Sequence, residues 1–283
     1  MRFNKYFTLI VAAFALAACD KNNDELNIDE TKDTPITILS AGVADLSTRA
    51  ITDNKLVGTA DAPVKIGVFI TDATNKRYNY DNVDYTHNGE SWSGGMYYEG
   101  SGSTQQISAY YPYTENISDD GFTVTADGTT DYLVASPVSM PSNEVTLTMK
   151  HALAKLVLKA TFGSEMTDKT ISKVEVGSMY ASGKLKISDN SWDNLSEATA
   201  TLTMTNNEVL VIPMASCNSF PITITMEDGS VFKTDVNLSS VESKLEAGTQ
   251  YNIKLQIGQD LVALDGITAS PWTSEDGGAL GTE

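Results

Sequence analysis

The sequence predicts an all-β protein, and three observations predict it. Several short runs alternate large apolar and polar residues, as Ile222-Thr223-Ile224-Thr225-Met226 does. The runs are rich in Val, Ile, Thr and Tyr and are punctuated by clusters of Gly, Asn, Asp, Ser and Pro. No amphipathic helix of useful length can be drawn through them. Successive strand side chains point to opposite faces, so a period of two marks a strand with one face on a core and the other toward water.

The opening residues stand outside that fold. Arg2 and Lys5 precede an apolar run over residues 7–18 that ends in Leu16-Ala17-Ala18-Cys19, with small residues where a peptidase fits the backbone. Residues 1–18 are therefore a lipoprotein signal peptide, and Cys19 is the acylated first residue of the exported chain. The run is shorter than the ~20 apolar residues a permanent span needs. Residues 19–35 are polar and acidic, with Asp24, Glu25, Asp29, Glu30 and Asp33. Too few apolar groups are present to offset the entropy of ordering, and a flexible tether is expected.

A first strand is expected over residues 34–43, carrying Ile36, Ile38 and Val43. Strands follow at residues 64–70, 106–111, 122–126, 145–149, 153–161, 171–176, 200–204, 209–213, 222–226, 231–236 and 251–257. The Asp228-Gly229 step between two of them is a hairpin signal, because positive φ is readily reached there. Residues 239–247 can form a turn or two of helix. Pro137 and Pro141 bracket a polar stretch, and a boundary is expected there, between an amino-terminal domain 50–142 and a carboxyl-terminal domain 143–283. Each half holds enough strands for a β-sandwich, and 283 residues exceed the usual size of one domain.

The formal net charge is −18, and loss of Arg2 and Lys5 with the signal makes it two units more negative. Nucleic acid is excluded as a partner, since its phosphates would be repelled. The acidity suits a soluble extracellular surface. Once exported, the chain holds Cys217 as its sole cysteine besides Cys19, so stability comes from burial and not from an internal disulfide.

Catalytic chemistry finds little to work with. The two histidines are His87, beside Asn88-Gly89, and His151, opening a strand, and both read as structural. Gly89-Glu90-Ser91-Trp92-Ser93 lacks the closing glycine of a nucleophile elbow. Asp119-Asp120-Gly121 reads as a turn, and Asp189-Asn190-Ser191-Trp192-Asp193-Asn194 lacks the glycine and distant glutamate of an EF-hand loop. No catalytic residue, cofactor or metal is expected, and the chain is not read as an enzyme. Trp92, Tyr97, Tyr98, Tyr78 and Tyr80 fall in one stretch, where core filling is weighed against an exposed glycan-stacking surface.

Several stretches together resemble the fimbrillin family of Bacteroidetes, the subunits of type V pili and related surface lipoproteins. They are the lipobox at Cys19, Thr48-Arg49-Ala50, Ala109-Tyr110-Tyr111-Pro112-Tyr113, Asp131-Tyr132-Leu133, His151-Ala152-Leu153-Ala154-Lys155-Leu156, and Leu245-Glu246-Ala247-Gly248-Thr249-Gln250-Tyr251-Asn252-Ile253, in the family's order. The resemblance implies two transthyretin-like (Greek-key) β-sandwich domains in tandem. It also implies assembly by strand exchange after a protease cuts between Arg49 and Ala50. Partners are then other fimbrial subunits, self or related, and outer-membrane lipid held through Cys19, as palmitate for example, before processing. The location is the outer-membrane surface, or the fimbrium once processed. The alternative is a surface lipoprotein that binds glycan or host protein without polymerising.

The route has a physical logic. A cut after Arg49 frees residues 19–49, including the strand of Ile36, Ile38 and Val43, and leaves a groove of unpaired backbone and apolar side chains. Refilling it with four or five large side chains, at ~1.5–3 kcal/mol each, contributes on the order of 10 kcal/mol before ordering costs. In this family the carboxyl end would supply a donor strand. Here residues 259–267 carry Leu261, Val262, Leu264 and Ile267, but Asp265-Gly266 interrupts the alternation.

Overall fold

The computed structural model describes residues 33–44, 51–52 and 55–272, apart from 167–168 and 260. Among these the chain is all-β: there is no α-helix, and three short 3-10 turns lie at Lys76–Tyr78, Ser164–Met166 and Ser239–Val241. The strands before residue 152 are β1 Thr34–Pro35, β2 Thr37–Ala44, β3 Ile51–Thr52, β4 Lys55–Leu56, β5 Val64–Thr71, β6 Tyr80–His87, β7 Trp92–Ser93, β8 Tyr97–Tyr98, β9 Gln106–Tyr111, β10 Phe122–Thr125, β11 Leu133–Ser139 and β12 Glu144–His151. Those after it are β13 Ala154–Phe162, β14 Ile171–Tyr180, β15 Ser182–Lys186, β16 Ser191–Asp193, β17 Thr199–Thr203, β18 Glu208–Val211, β19 Ser219–Met226, β20 Val231–Asn237, β21 Thr249–Ile257 and β22 Val262–Pro271.

The carboxyl-terminal strands form a sandwich of two four-stranded sheets, β18-β13-β21-β22 and β17-β14-β19-β20. Leu156 and Leu158 on β13 and Ile253 and Leu255 on β21 meet Val174, Val176, Ile222 and Ile224 from the other sheet in one buried core. Strand β19 buries every second residue, as its Ile-Thr alternation requires. The turn from β19 to β20 holds Glu227, Asp228 and Gly229, with Gly229 at φ +86. The Gly229 N–H donates to Met226 O at 3.0 Å. This is a three-residue hairpin loop with one left-handed position, filled by glycine.

The amino-terminal strands join in a nine-stranded sheet, β3-β4-β2-β12-β11-β9-β5-β6-β7. Side chains from distant parts of that order, Ile36 just before β2, Ile38 on β2 and Trp92 on β7, enter one core with Ile66, Val68, Ile107 and Leu147, so the sheet curls over its own face. Pro137 lies inside β11, where consecutive paired residues are Ala135 and Val138. That irregularity accommodates a residue with no N–H to donate. Pairing carries the amino-terminal sheet through β12, and the second core opens at Ala154. The change of core therefore falls at Ala152 and Leu153, after the strand that the sequence boundary at 142/143 assigns to the carboxyl-terminal half.

Smaller elements join the two cores. Strand β10 pairs with β15, and β15 with β16. Beneath them Phe69, Tyr110 and Val134 pack with Leu185 and Ile187. The topology of the two cores also corresponds. In each, the first long strand runs parallel to a late one, β2 beside β12 and β13 beside β21.

Candidate functional site

Strand β2 is built from the inside outward. Ile36, Ile38, Ala41 and Val43 face the core and are each at most 5% exposed. Ile36 and Ile38 occupy even positions and Val43 an odd one, so a straight strand could not bury all three. The structure resolves this with a bulge: Ile38 pairs with Val145 and Ser40 with Thr146, leaving Leu39 as the extra residue. Leu39 is turned out to 58% exposure, and the inward phase resumes at Ala41. The three large side chains, at ~1.5–3 kcal/mol each, contribute on the order of 6 kcal/mol before ordering costs. This is less than the sequence estimate because Ala41 fills the fourth position.

Backbone pairing of β2 is lopsided. One side runs parallel to β12 from Thr37 to Ala44. On the other, β4 meets it at a single pair, Gly42 with Lys55. Its start is held by short contacts. The Ile36 N–H donates to Met96 O at 3.0 Å and the Thr37 N–H to Asn143 O at 2.8 Å. Asn143 Nδ2 donates to Pro35 O at 3.1 Å, and β1 pairs with β8. By contrast β13, the matching strand of the second core, is paired along its length with β21 and also with β18.

A charged clamp closes the entry of the groove. The 3-10 turn Lys76–Tyr78 presents Arg77 and Tyr78 to Asp33. The Tyr78 hydroxyl donates to Asp33 Oδ1 at 2.9 Å, and the Arg77 guanidinium pairs with the same oxygen. Arg77 also donates to Tyr78 Oη at 2.7 Å and lies over that ring, 4.5 Å from its centroid. The turn is itself held by Glu99, which accepts from the N–H groups of Thr74 and Asn75. Those bonds, that from Asn75 foremost, hold the Glu99 carboxyl below its ordinary range.

Of the residues singled out in the sequence, the structure brings Ile36, Ile38 and Val43 together on one buried face. Cys19, Arg49 and Ala50 lie outside the described residues. Sequence reasoning missed Ala41, Leu39 and the Asp33–Arg77–Tyr78 clamp; the slip of phase between Ile38 and Val43 was the available sign of the bulge. Trp92, Tyr78 and Tyr98 are buried, and Tyr97 is exposed to 39%. The Asp265-Gly266 interruption proves to be a second bulge: Lys254 pairs with Gly266 and Leu255 with Leu264, so β22 stays paired along β21 with Asp265 as its extra residue.

The histidines sit in structural positions. His87 Nδ1 accepts from the N–H groups of Gly58 at 3.1 Å and Gly89 at 3.2 Å. His151 Nδ1 hydrogen-bonds with Asp131 Oδ1 at 3.1 Å and lies 3.0 Å from Oδ2; toward the ionised carboxylate the imidazole nitrogen is the donor. Its ring stacks on Trp272 at 3.8 Å between centroids. Burial pushes the Asp131 carboxyl above its ordinary range, with His151 offsetting part of the effect. Nearby, Lys155 Nζ pairs with Glu208 at 2.8 Å, and the Gly248 N–H donates to Leu153 O at 2.9 Å. Four of the stretches that carried the family resemblance contribute to the two ends of this region: Tyr110 and Tyr111 end β9 beside Val134 and Leu133, while Asp131, His151, Leu153, Lys155 and Gly248 meet at the join between the cores. Among the described residues no group of three or more His, Cys, Asp and Glu side chains could hold a metal ion.

Comparison with known proteins agrees with this architecture. A candidate cell adhesion protein from Bacteroides uniformis shares 22% identity, with 83% of this chain and 98% of its own covered and a TM-score of 0.64. Another from Bacteroides ovatus shares 17% identity, with 86% and 99% covered and a TM-score of 0.63. At these identities the likeness establishes the fold. No curated protein sequence matches the chain. The sequence profile described as fimbrillin-like matches residues 48–272, beginning after β2 and ending at Trp272, and so spans most of the protein. The chain belongs to the fimbrillin-like family.

Proposed function

We propose that this chain is a structural and adhesive subunit of a type V pilus or related surface fimbria, exported as an outer-membrane lipoprotein through Cys19 and assembled by strand exchange after cleavage between Arg49 and Ala50. The observation that carries the reading is β2: its apolar face is buried in the amino-terminal core, yet β4 contributes a single pair on its second side. Such a strand can leave without dismantling the interior of a sheet, and the groove left behind is both apolar and rich in unpaired backbone. β13 has no such exit, being paired on both sides.

The carboxyl-terminal strand supports the same reading. On β22, Val262, Leu264, Ile267 and Ala269 repeat the spacing of Ile36, Ile38, Ala41 and Val43, and the extra residue falls at the same step, Asp265 in one strand and Leu39 in the other. β22 is also the outer strand of its sheet. In this proposal residues 19–49 are the lipidated tether and the removable strand, and the remainder is two sandwiches, the second beginning after β12. Incubation of the full chain, mixed with other fimbrial subunits, with an Arg-specific protease is expected to produce ladders stable in mild detergent that contain this chain, and Arg49→Ala to remove it from them. A trimmed monomer that retains glycan or host protein and forms no ladder would favour the non-polymerising alternative.

A further inference from the structure

We infer that the β2 groove is built for the strand of a different subunit and discriminates against this chain's own carboxyl-terminal strand. The inference rests on the strand-exchange proposal and names the chemistry of the occupant. Aligned on their bulges, Asp33 corresponds to Gln259, Ala41 to Ile267 and Val43 to Ala269. The spacing fits, but the side chains do not.

Three positions decide the match. Asp33 supplies the carboxylate that takes both the Arg77 guanidinium and the Tyr78 hydroxyl, and Gln259 would meet that cation with a neutral amide. Ala41 is 0% exposed, so the isoleucine of β22 would force extra carbons into a filled position. Val43 is 4% exposed, and alanine there would leave its space unfilled. In its own sheet Ile267 packs against the second core, where its size is used. The occupant the groove fits is an extended strand with a carboxylate three residues ahead of its first apolar anchor, a small side chain five residues after that anchor and a branched one seven after it. A related subunit can supply that pattern, whereas a second copy of this chain does not.

Competition on the full chain tests the inference, after cleavage behind Arg49 and with the Arg77 bond shown intact by mass. Synthetic peptides are offered and displacement of the resident strand is measured. A peptide of residues 33–44 should bind best. Its Asp33→Asn form should bind about threefold more weakly, and its Ala41→Ile form about tenfold or more weakly. On protein carrying Arg77→Gln, the parent and Asp33→Asn peptides should become equivalent. A peptide of residues 259–271 should bind more weakly than the Ala41→Ile peptide, and its Gln259→Asp, Ile267→Ala, Ala269→Val form should recover to within about threefold of the parent. Equal binding of the unaltered 259–271 and 33–44 peptides would overturn the inference while leaving strand exchange standing. Failure of every peptide, the 33–44 parent included, would remove the strand-exchange proposal and this inference with it.

Discussion

At the scale of single residues, two buried groups make measurable demands. Asp131 is buried with His151 as its partner, so His151→Ala leaves a carboxylate without its donor. The expected loss is about 3 kcal/mol, read from urea unfolding. The pH dependence of Asp131 has a definite sign. Its carboxyl is raised in the folded state, so its contribution to stability is complete below about pH 4, where the unfolded carboxyl titrates, and is lost as pH rises through the folded value. Asp131→Asn, whose amide oxygen still accepts from His151, should therefore gain stability relative to the parent as pH is raised above 4. Tyr110 gives the opposite end of the scale. Its hydroxyl lies 2.7 Å from both Asn82 Oδ1 and Thr114 O, and burial pushes its phenol up to about 12. The stability it contributes should persist to about pH 10 and fall between there and 12, which ultraviolet titration of parent and Tyr110→Phe proteins would show.

At the scale of elements, the bulge in β2 divides neighbouring residues into opposite classes. Leu39 points outward, so Leu39→Lys should change stability by no more than about 0.5 kcal/mol in thermal or urea unfolding. Ala41→Leu, two residues on, should cost about 1–3 kcal/mol by overpacking. Legibility in the sequence follows the same physics. Strands β12, β19 and β21 were visible because one face meets a core and the other meets solvent or a thinner layer, which writes a period of two into the residues. Strands β7, β8 and β16 have two or three residues and no room for a period. β11 contains Pro137, and β6 carries Asp81, Asn82 and Asp84 on a half-exposed edge region, so neither read as a strand. The groove itself was half legible. Ile36, Ile38 and Val43 announced a strand, but its parallel partner and the Asp33–Arg77 contact join residues far apart in sequence, and nothing local encodes them.

At the scale of the whole molecule, family and fold agree on a structural, non-enzymatic protein. The two cores share one topological idea, a first strand lying parallel to a late one, and differ in what covers that strand's second side. Pairing with β18 locks β13 in place, whereas β2 has its single pair with β4. In the strand-exchange proposal this asymmetry makes the amino-terminal core the acceptor of a foreign strand, and β22, an outer strand of matching spacing, lies in the carboxyl-terminal sheet. The join at Ala152 and Leu153 was hidden from the sequence because β12 pairs backward with β2 and β11, while the prolines before it resemble a linker. Amino-terminal sequencing of subunits taken from isolated surface fibres tests the central claim most directly. The account predicts chains beginning at Ala50, with the first strand gone and its groove filled by another subunit; assembled subunits that still begin at Cys19 and keep residues 33–44 in their own groove would contradict it.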